Sequence, residues 1–439
     1  MYDTRDGMRR SWLLAALLVL IALVAFMAPT VLGVPGGEDG QEQPKFRDVR
    51  TAIEALYLVK REFYKPVSVS KLLGAYLATG TVQGMLEALE DPYTRYMPPE
   101  DYEAMRQESS GVFGGIGILV GIRDDKITVI SPLENTPAMR AGLLPGDHIA
   151  EIDGVSTEGM VLDRAVSMMK GEPGTEVVLV IERSYPPGRH EVKIIRDIID
   201  APATRSYMWD PEAGIGYIEL RSFSEKAGPD IEAELKKLSA EGLRGLILDL
   251  RYNGGGLVNQ AVQVASKFIP SGPAMHVQGR DGQRRTTHTV GSKLADVPVV
   301  VLVNEYTASA SEIVAGAMQD TGVATIVGMP TFGKGLVQTL FTLSDGSGLA
   351  VTTQIYLTAG GRAITPENPI QPDVQVEPLT MEELEQLTAA KKSEAAQAGP
   401  VTAEDLLRID PDLDPQFRKA VEILREKIDD EAEAVNVAA

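Results

Sequence analysis

Three polar residues in the second half of the chain have the types and spacing that acyl transfer needs: Ser309, Lys334 and Gln338. Ser309 lies between an apolar stretch at residues 299–304, which predicts a buried strand, and an apolar run at 313–318, which predicts a helix. A hydroxyl at a strand-to-helix turn is exposed and close to backbone N–H donors, as a nucleophile requires. A serine beside a lysine, with an amide to hold the lysine, can transfer acyl groups without a histidine.

Lys334 and Gln338 lie in a stretch that alternates apolar and polar residues, which predicts a strand. Positions four apart on a strand face the same side, so both side chains can reach one site. A free lysine titrates near ~10.4 and cannot accept a proton at neutral pH. Burial must lower its pKa to roughly 7–8 before it can act as a base, so the sequence predicts a dry site without a carboxylate partner.

Ser309 and Lys334 also have interpretations without catalysis. Ser309 with Glu312 forms a capping box, which starts a helix without doing chemistry. Residues 328–335 are one residue short of a phosphate-binding P-loop that would contain Lys334. Gly335 stands where that loop needs Ser or Thr, and the residues that follow alternate like a strand instead of forming a helix.

Histidine remains an alternative base by spacing alone. His276 and His288 fall in the core, but in a polar, arginine-rich stretch that predicts an exposed hairpin. His148 and His190 lie in a separate β-rich region. We find no His-Glu-x-x-His motif and no cluster of ligands, so neither a metal nor a cofactor is predicted.

A second motif, Asn253-Gly254-Gly255-Gly256, follows a predicted strand that ends at Leu250. Consecutive glycines let backbone N–H groups approach a ligand closely, and such amides can form an oxyanion hole. The same run also fits a plain tight turn. Because it follows a second strand of the same predicted sheet, we expect it to line one crevice with Ser309.

The elements that must position these residues form an α/β pattern from residue 215 to about 376. Apolar runs at 243–250 and 297–303 predict strands that are covered on both faces, with helices at 231–238 and 260–268 between them. Alternating strands and helices predict a layered sheet whose ligands bind at the strand ends.

Other regions have different patterns. Short strands with one helix at residues 162–169 predict a mostly antiparallel β unit from 111 to about 200. Helical spacing at 47–64 and 70–89 predicts two helices before it. The segment after Pro378 is rich in Ala, Glu and Leu and predicts an acidic helical tail.

The N-terminal sequence predicts a membrane anchor. Residues 12–32 are an uncharged apolar run that is long enough to cross a bilayer as a helix. Three arginines precede the run, which places the N-terminus in the cytosol and the remainder outside. A cleaved signal peptide is the alternative, which Pro29 disfavours. We therefore expect a single-pass protein of the cell membrane with an extracytoplasmic catalytic domain and a flexible linker at 33–44.

Composition restricts the remaining possibilities. The 439 residues are too many for one ordinary core, so several domains are expected. The chain has no cysteine, which excludes disulfides, thiolate metal sites and a cysteine nucleophile. The net charge of −20 argues against nucleic acid as a partner, because phosphate binding needs a basic face.

These motifs together resemble those of the carboxyl-terminal processing serine peptidases, also called tail-specific proteases. Several linked motifs in the right order are far more specific than any one of them, and they span nearly the whole region after the linker. The matching segments are residues 91–96, 249–256, 304–312, 331–335 with Gln338, 364–366 and 372–373.

The resemblance implies a crotonase-like protease core in which Ser309 is the nucleophile, Lys334 the general base and Gln338 the residue that orients the lysine. The oxyanion hole would come from the backbone amides of Ala310 and of either Gly254 or Gly255. Two further positions belong to the same motif: Ser311 would support the helix start, and Thr307 stands where many members have Ser.

The β unit resembles a PDZ domain through residues 136–149 and 151–154. Glycine amides of such a domain can capture a terminal carboxylate while the peptide adds a strand to the sheet edge. Apolar neighbours predict a preference for an apolar C-terminal side chain. Lys170-Gly171 stands where many relatives have Arg-Gly, which bears on the coupling of peptide binding to activity. The matching carboxylate-binding loop is Phe113, Gly114, Gly115, Ile116 and Gly117.

We therefore expect a membrane-anchored endopeptidase that cleaves proteins near their C-termini, with the PDZ-like domain binding the substrate tail and gating Ser309 and Lys334. A catalytically silent peptide-binding scaffold at the membrane surface is the alternative. The N-terminal helices and the acidic tail suggest a homodimer. The expected divisions are a cytosolic N-terminus and anchor (1–33), a linker and helical segment (34–110), a PDZ-like domain (111–200), an α/β protease core (201–378) and the tail (379–439).

Overall fold

The computed structural model describes residues 49–123, 126–133, 135–184, 187–380, 382–384, 386–387 and 409–438. The predicted anchor and linker lie outside these ranges, and within them no helix is both long and apolar enough to cross a membrane. The described residues divide into two compact units, one of residues 49–98 with Leu340–Val351 and one of Pro99–Thr339 with the described residues from Thr352 onward.

The described residues form helices and strands in the following order. The helices are α1 Val49–Glu62, α2 Val69–Thr79, α3 Val82–Glu87, α4 Pro99–Ser110, α5 Pro137–Arg140, α6 Leu162–Met169, α7 Ala227–Ala240, α8 Val258–Ala265, α9 Ala310–Asp320 and α10 Pro415–Ala438. The strands are β1 Arg95–Met97, β2 Val112–Gly115, β3 Ile118–Arg123, β4 Lys126–Pro132, β5 His148–Ile152, β6 Val155–Ser156, β7 Glu176–Ser184, β8 Pro187–Ile195, β9 Asp197–Asp200, β10 Thr204–Asp210, β11 Ile215–Leu220, β12 Gly245–Asp249, β13 Pro273–Gly279, β14 Arg284–His288, β15 Val299–Val303, β16 Ala324–Gly328, β17 Leu336–Thr342, β18 Gly348–Leu357 and β19 Val374–Gln375.

The first unit contains α1 to α3 and β1, which pairs antiparallel with the start of β18. The single helix predicted over residues 70–89 is in fact two helices. The chain turns at Gly80, whose φ of 74° is left-handed, and α3 begins after Thr81, whose hydroxyl accepts the N–H of Gly84 at 3.1 Å. Glycine ends helices in this conformation and threonine caps their starts, so the local residues overrode the longer apolar pattern.

The β unit of the second unit is a sheet of order β3-β4-β5-β7-β8, with β6 on β5. Its core is formed by alternate apolar residues of these strands and by α6, whose bounds match the helix predicted at 162–169. The chain enters and leaves this sheet through β2 and β9, which pair antiparallel with each other. We call this two-stranded ribbon the stem.

The larger sheet has the order β10-β11-β12-β15-β16-β19, and its neighbours from β11 onward are parallel. Helices α7, α8 and α9 cover one face, where Leu246 and Leu248 point. Ile247, between them, points to the other face and packs against α10. Both faces are therefore buried, which explains the continuous apolar runs that the sequence showed.

Helix α10 is a layer of this core. Its apolar residues recur three and four positions apart and pack against the sheet, so the acidic tail has a structural task that composition alone did not indicate. The residues in contact are Phe417, Ala420, Val421, Leu424 and Ile428.

A further group of strands borders the core. β13 pairs with β14 as a hairpin, as the polar stretch near His276 and His288 predicted, and with the end of β18. β17 lies next to β18, where the hydroxyls of Thr339 and Thr353 are 2.8 Å apart.

Candidate active site

The predicted nucleophile and the glycine motif lie in the loops where the parallel strands β12 and β15 end side by side. The loop after β15 is held to the loop after β12 by Thr307, whose hydroxyl donates to Leu250 O at 2.9 Å and accepts the N–H of Asn304 at 2.9 Å. Thr307 is fully buried. A threonine keeps the hydroxyl that a serine would supply at this position, so this departure from the family pattern preserves the contact.

A second set of contacts joins the same loops closer to Ser309. The carbonyl of Asn253 accepts the N–H of Ala308 at 3.0 Å and the hydroxyl of Ser311 at 2.8 Å. Ser311 is fully buried, so its role at the helix start includes fixing the glycine loop. The sequence placed Ser309 and the glycines at the ends of two strands of one predicted sheet, and these hydrogen bonds join the two loops.

Ser309 occupies a strained turn between β15 and α9. Its φ of 57° and ψ of −114° are rare for a residue with a side chain, and such conformations cost of order ~1–3 kcal/mol. Its carbonyl accepts the hydroxyl of the buried Tyr356 at 3.1 Å. Strained strand-to-helix turns of this kind present a nucleophile at the top of a sheet.

Gly255 contacts the turn that carries Ser309. A Cβ added at Gly255 would lie 2.9 Å from Ser309 Cβ and 2.8 Å from Ala308 O, and φ is 101°, so only glycine fits. The N–H of Gly255 donates to Asn253 Oδ1 at 2.9 Å. That amide is therefore occupied, whereas Gly254 is exposed and has open space at its Cα. Of the two alternatives for the oxyanion hole, the geometry favours Gly254.

Glu312 is the site residue whose importance sequence reasoning missed. Its side chain is fully buried, and one carboxylate oxygen, Oε2, accepts the N–H of Ser309 at 2.9 Å and the N–H of Lys334 at 2.8 Å. The other oxygen accepts the N–H of Gly333 at 2.8 Å and the hydroxyl of Thr331 at 2.6 Å. The capping box was the available signal, but it did not show that the same carboxylate also binds the lysine loop.

The charge of Glu312 also affects its neighbour Tyr356. Burial raises the pKa of the Tyr356 hydroxyl well above its usual value, and the nearby Glu312 carboxylate raises this pKa further. The hydroxyl therefore stays protonated and keeps donating to the carbonyl of Ser309 at neutral pH.

Lys334 is half-buried and lies in the loop before β17, two residues short of the strand that the alternating pattern predicted to include it. The glycines on either side of it permit close packing of the backbone. A Cβ at Gly333 would lie 2.4 Å from Thr365 O, and one at Gly335 would lie 2.0 Å from Ile364 O. These glycines therefore serve chain packing, and a strand follows them where a P-loop needs a helix.

Gln338 lies on β17 and is also half-buried. Its Nε2 atom is buried, and within the described part of the chain it has no hydrogen-bond partner. A buried amide group without a partner is unfavourable unless a ligand or a rearranged side chain satisfies it. This feature is consistent with a residue that orients another group in the working site.

His276 and His148 form their hydrogen bonds with residues outside the candidate site. His276 contacts Thr286 Oγ1 at 2.9 Å and Ala359 O at 3.0 Å, and His148 contacts Thr128 Oγ1 at 2.7 Å. Within the described ranges, no group of three or more His, Cys, Asp or Glu side chains is arranged to hold a metal ion.

The glycine loop is also connected to α10. The side chain of Arg251 is 13% exposed, and its guanidinium binds Asp249 at 2.7 Å, Asp414 at 2.8 Å and Gln416 at 3.0 Å. Burial alone would lower the pKa of Arg251, but the carboxylates of Asp249 and Asp414 raise it above its usual value. The charged network therefore joins the end of β12 to the C-terminal helix.

The predicted PDZ loop divides between two elements. Phe113, Gly114 and Gly115 belong to β2 of the stem, and Ile116 and Gly117 form the turn before β3. The ring of Phe113 lies 4.8 Å from the ammonium group of Lys170, and the carbonyl of Gly114 accepts the N–H of Gly171 at 3.1 Å. Among the described strands, β3 has a neighbour on one side only, which leaves an edge where a peptide strand can add.

Arg196, between β8 and β9, was not singled out from the sequence. Its guanidinium is buried and donates to the carbonyls of Met168 at 2.8 Å and Met169 at 3.2 Å, which end α6. The contact ties the helix of the β unit to the stem.

Comparison with known proteins identifies the class. The sequence model of Peptidase family S41 matches residues 214–376, that of the PDZ domain matches 128–183, and that of the activating protease CtpB N-terminal domain matches 33–101. A carboxy-terminal-processing protease of Bartonella bacilliformis is 38% identical over 370 residues, which is 80% of this chain and 83% of that protein. The carboxy-terminal processing protease CtpA of Bacillus subtilis is 34% identical over 384 residues, 87% of this chain and 79% of that one.

A solved structure shows the same fold. The crystal structure of a putative S41 protease from Bacteroides fragilis has a TM-score of 0.51 and 14% sequence identity, and the match covers 83% of this chain and 99% of that one. The chain belongs to the carboxy-terminal processing proteases of peptidase family S41 and is a serine-type peptidase. The resemblance found in the sequence and the prediction of an α/β protease fold with a PDZ domain are confirmed.

Proposed function

We propose that this protein is a membrane-anchored, extracytoplasmic endopeptidase that processes proteins near their C-termini with Ser309 as nucleophile and Lys334 as general base. One observation carries the assignment of the pair: Oε2 of Glu312 accepts the main-chain N–H groups of both Ser309 and Lys334. Two residues bound to one oxygen atom through their backbones lie in neighbouring parts of one site.

The proposed chemistry assigns one step to each of these groups. The uncharged amine of Lys334 takes the proton of the Ser309 hydroxyl as its Oγ attacks the scissile carbonyl. The N–H groups of Ala310, at the start of α9, and of Gly254 stabilise the oxyanion that develops. The lysine then gives its proton to the leaving amine, and water releases the acyl group from Ser309. Gln338 orients the lysine.

The experiment uses the full chain in detergent and casein as an unfolded substrate. We expect Ser309→Ala and Lys334→Met to lower kcat/KM by about a thousandfold or more. Removing one residue of a catalytic unit costs nearly as much activity as removing all of its residues. Cleavage by Ser309→Ala at the wild-type rate would contradict the nucleophile, and unaffected cleavage by Lys334→Met would contradict the base. A wild type that binds apolar C-terminal peptides but cleaves no casein would favour the scaffold alternative.

Gating by the PDZ domain is supported by a continuous set of contacts in the second unit. The N–H of Phe223 donates to Gly255 O at 3.0 Å, in the loop that borders Ser309. Three residues later, Lys226 forms an ion pair with Asp200, the last residue of the stem. A shift of the stem on peptide binding would therefore reach the glycine loop through this short segment.

Two further parts of the proposal concern membrane and assembly. The apolar run at residues 12–32 supports an anchor, which predicts that the protein stays with membranes after an alkaline carbonate wash. Recovery in the wash would contradict the anchor. The exposed apolar side chains of Ile53 on α1 and Leu77 on α2 support a homodimer, and a monomer mass in light scattering would contradict it.

A further inference from the structure

Exposed aromatic side chains surround the proposed site. Among the described residues, four aromatic side chains are largely exposed: Tyr57 on α1 of the first unit, Tyr252, Tyr306 and Phe332. The last three lie on the glycine loop, the Ser309 loop and the Lys334 loop, so each loop that carries proposed chemistry has one. Their exposures are 75%, 57% and 49%, although aromatic residues make up only 5% of the chain. Exposed apolar groups that gather at one place mark binding sites.

Tyr252 and Tyr306 form a fixed pair. Their rings are stacked with centroids 5.4 Å apart and planes at 18°. The buried Asn304 holds both, because its Oδ1 accepts the N–H of Tyr252 at 3.0 Å and that of Tyr306 at 3.2 Å. Tyr252 has a φ of 59°, a conformation that residues with side chains rarely adopt. The chain thus holds an exposed aromatic ring in a strained position instead of using asparagine or glycine there.

The three aromatic residues are anchored next to the proposed catalytic groups. Tyr252 immediately precedes Asn253, whose carbonyl binds the N–H of Ala308, the neighbour of Ser309. The N–H of Phe332 donates to Thr307 O at 3.0 Å, which ties the lysine loop to the loop that carries Tyr306. The rings therefore belong to one hydrogen-bonded group of loops, which we call the aromatic rim.

The occupant that fits the rim is an extended polypeptide. A protease that acts on protein substrates must hold an unfolded segment across its nucleophile, and such a segment presents side chains at intervals. Flat tyrosine faces and the Phe332 ring favour an aromatic or large apolar side chain through stacking. The PDZ groove binds a terminal carboxylate, whereas this rim lies beside Ser309 and would contact an internal residue.

We propose that Tyr252, Tyr306 and Phe332 form a subsite that binds an aromatic or large apolar side chain of the substrate next to the scissile bond. The proposal rests on the proposed role of Ser309 as nucleophile. It predicts a sequence preference close to the cut, independent of the preference for an apolar C-terminus.

The test first maps the bonds that the full chain cleaves in casein by mass spectrometry. Two peptides are then made with the same C-terminal tail, one with Phe and one with Ala at the enriched position. We expect the wild type to favour the Phe peptide about tenfold in kcat/KM. Tyr252→Asn with Tyr306→Ser should reduce this ratio to between one and about two, and asparagine is chosen because it tolerates positive φ.

Matched variants separate the rim from general damage. Tyr252→Phe with Tyr306→Phe keeps the stacking and should keep the ratio, and Tyr57→Ser, an exposed tyrosine of the first unit, should keep it too. If the double variant does not fold, Phe332→Ser supplies the same measurement and should reduce the ratio about threefold. A ratio that stays at its wild-type value in the rim variants, or mapped cuts without an aromatic or apolar preference, would overturn the proposal.

A binding measurement distinguishes this proposal from that for Ser309. In a Ser309→Ala background, fluorescence anisotropy should show about tenfold tighter binding of the Phe peptide than of the Ala peptide, and the rim variant should lose the difference. That result supports the rim even if Ser309→Ala still cleaves and the nucleophile is wrong. If the rim variants instead turn a dimer into a monomer in light scattering while the peptide ratio is unchanged, the patch is a self-association surface and the subsite is refuted.

Discussion

The main-chain N–H of Lys334 donates to Oε2 of Glu312 at 2.8 Å, and this hydrogen bond joins the lysine loop to helix α9. The same oxygen accepts the N–H of Ser309 at 2.9 Å, so one buried carboxylate fixes the backbone on both sides of the proposed pair. A hydrogen bond between an N–H group and a carboxylate is stronger than one between neutral groups. The relative position of Ser309 and Lys334 therefore depends on the charge and shape of Glu312.

Glu312→Gln is expected to damage both stability and activity. The glutamine side chain has an NH₂ group in place of one of the two carboxylate oxygens. Both oxygens of Glu312 accept hydrogen bonds from buried or half-buried donors, so at least one of these donors loses its acceptor. We expect a loss of about 2–4 kcal/mol in the free energy of unfolding and a fall of more than about a hundredfold in casein cleavage. Glu305→Gln, at an exposed position in the same loop, is the matched control and should behave as the wild type. Full activity and an unchanged melting temperature in Glu312→Gln would refute the role given to this carboxylate.

Gly255→Ala tests the close approach of the two loops. The added Cβ would lie 2.9 Å from Ser309 Cβ and 2.8 Å from Ala308 O, in a backbone conformation with φ of 101°. Since these contacts are backbone or are attached to it, they cannot yield without moving Ser309. We expect kcat to fall by about a hundredfold or more, because small displacements of catalytic groups have effects of this size.

The control for this change is Gly74→Ala, because Gly74 lies in α2 and a Cβ there would meet nothing within 4 Å. Alanine is favoured over glycine in a helix, so this variant should gain about 0.5–1 kcal/mol in stability and keep its activity. Steady-state kinetics measures the activity of both variants, and thermal unfolding measures their stability. Equal activity in the two would show that the loops tolerate a methyl group between them.

Sequence patterns predicted the strands and helices in which the spacing of apolar residues matches the faces that the fold buries. β12 and β15 are buried on both faces and read as continuous apolar runs, and α6 showed its helical spacing over its whole length. α10 was predicted as a helix but not as a core layer. Its acidic composition suggested an exposed tail, while the stripe of apolar residues that includes Phe417 and Leu424 packs against the sheet.

The candidate site was predicted only as far as residue types indicate chemistry, and its catalytic roles stay predictions. Ser309, Lys334 and the glycines stood out because few residue types suit those tasks. The tasks of Glu312 and Asn304 depend on which main-chain groups the fold brings within reach, and no spacing shows that. The choice between Gly254 and Gly255 likewise needed the hydrogen bond from Gly255 to Asn253.

Arg251→Met tests whether α10 supports the glycine loop. The substitution keeps most of the side-chain volume but leaves the buried Asp249 and the half-buried Asp414 without their cation. Removing one partner of a buried ionic network typically costs about 3–5 kcal/mol, and we expect a loss of stability of this size. Casein cleavage should also fall, because Asn253 and the glycines begin only two residues after Arg251. Arg418→Met in α10 itself is the control, and an equal effect of the two would contradict a specific support through Arg251.

Lys226→Met tests the connection from the stem to the glycine loop. Lys226 pairs with Asp200 at the end of β9, and the segment before it contacts Gly255 through Phe223. If peptide binding at the β3 edge acts through this connection, a peptide with an apolar C-terminus should raise the cleavage of a substrate without one. The variant should at least halve that factor. Lys236→Met, which removes an exposed pair with Glu232 on α7, should keep it. Measuring cleavage rates against peptide concentration gives the factor for each protein, and an identical factor in Lys226→Met and the wild type would mean that the peptide signal takes another route.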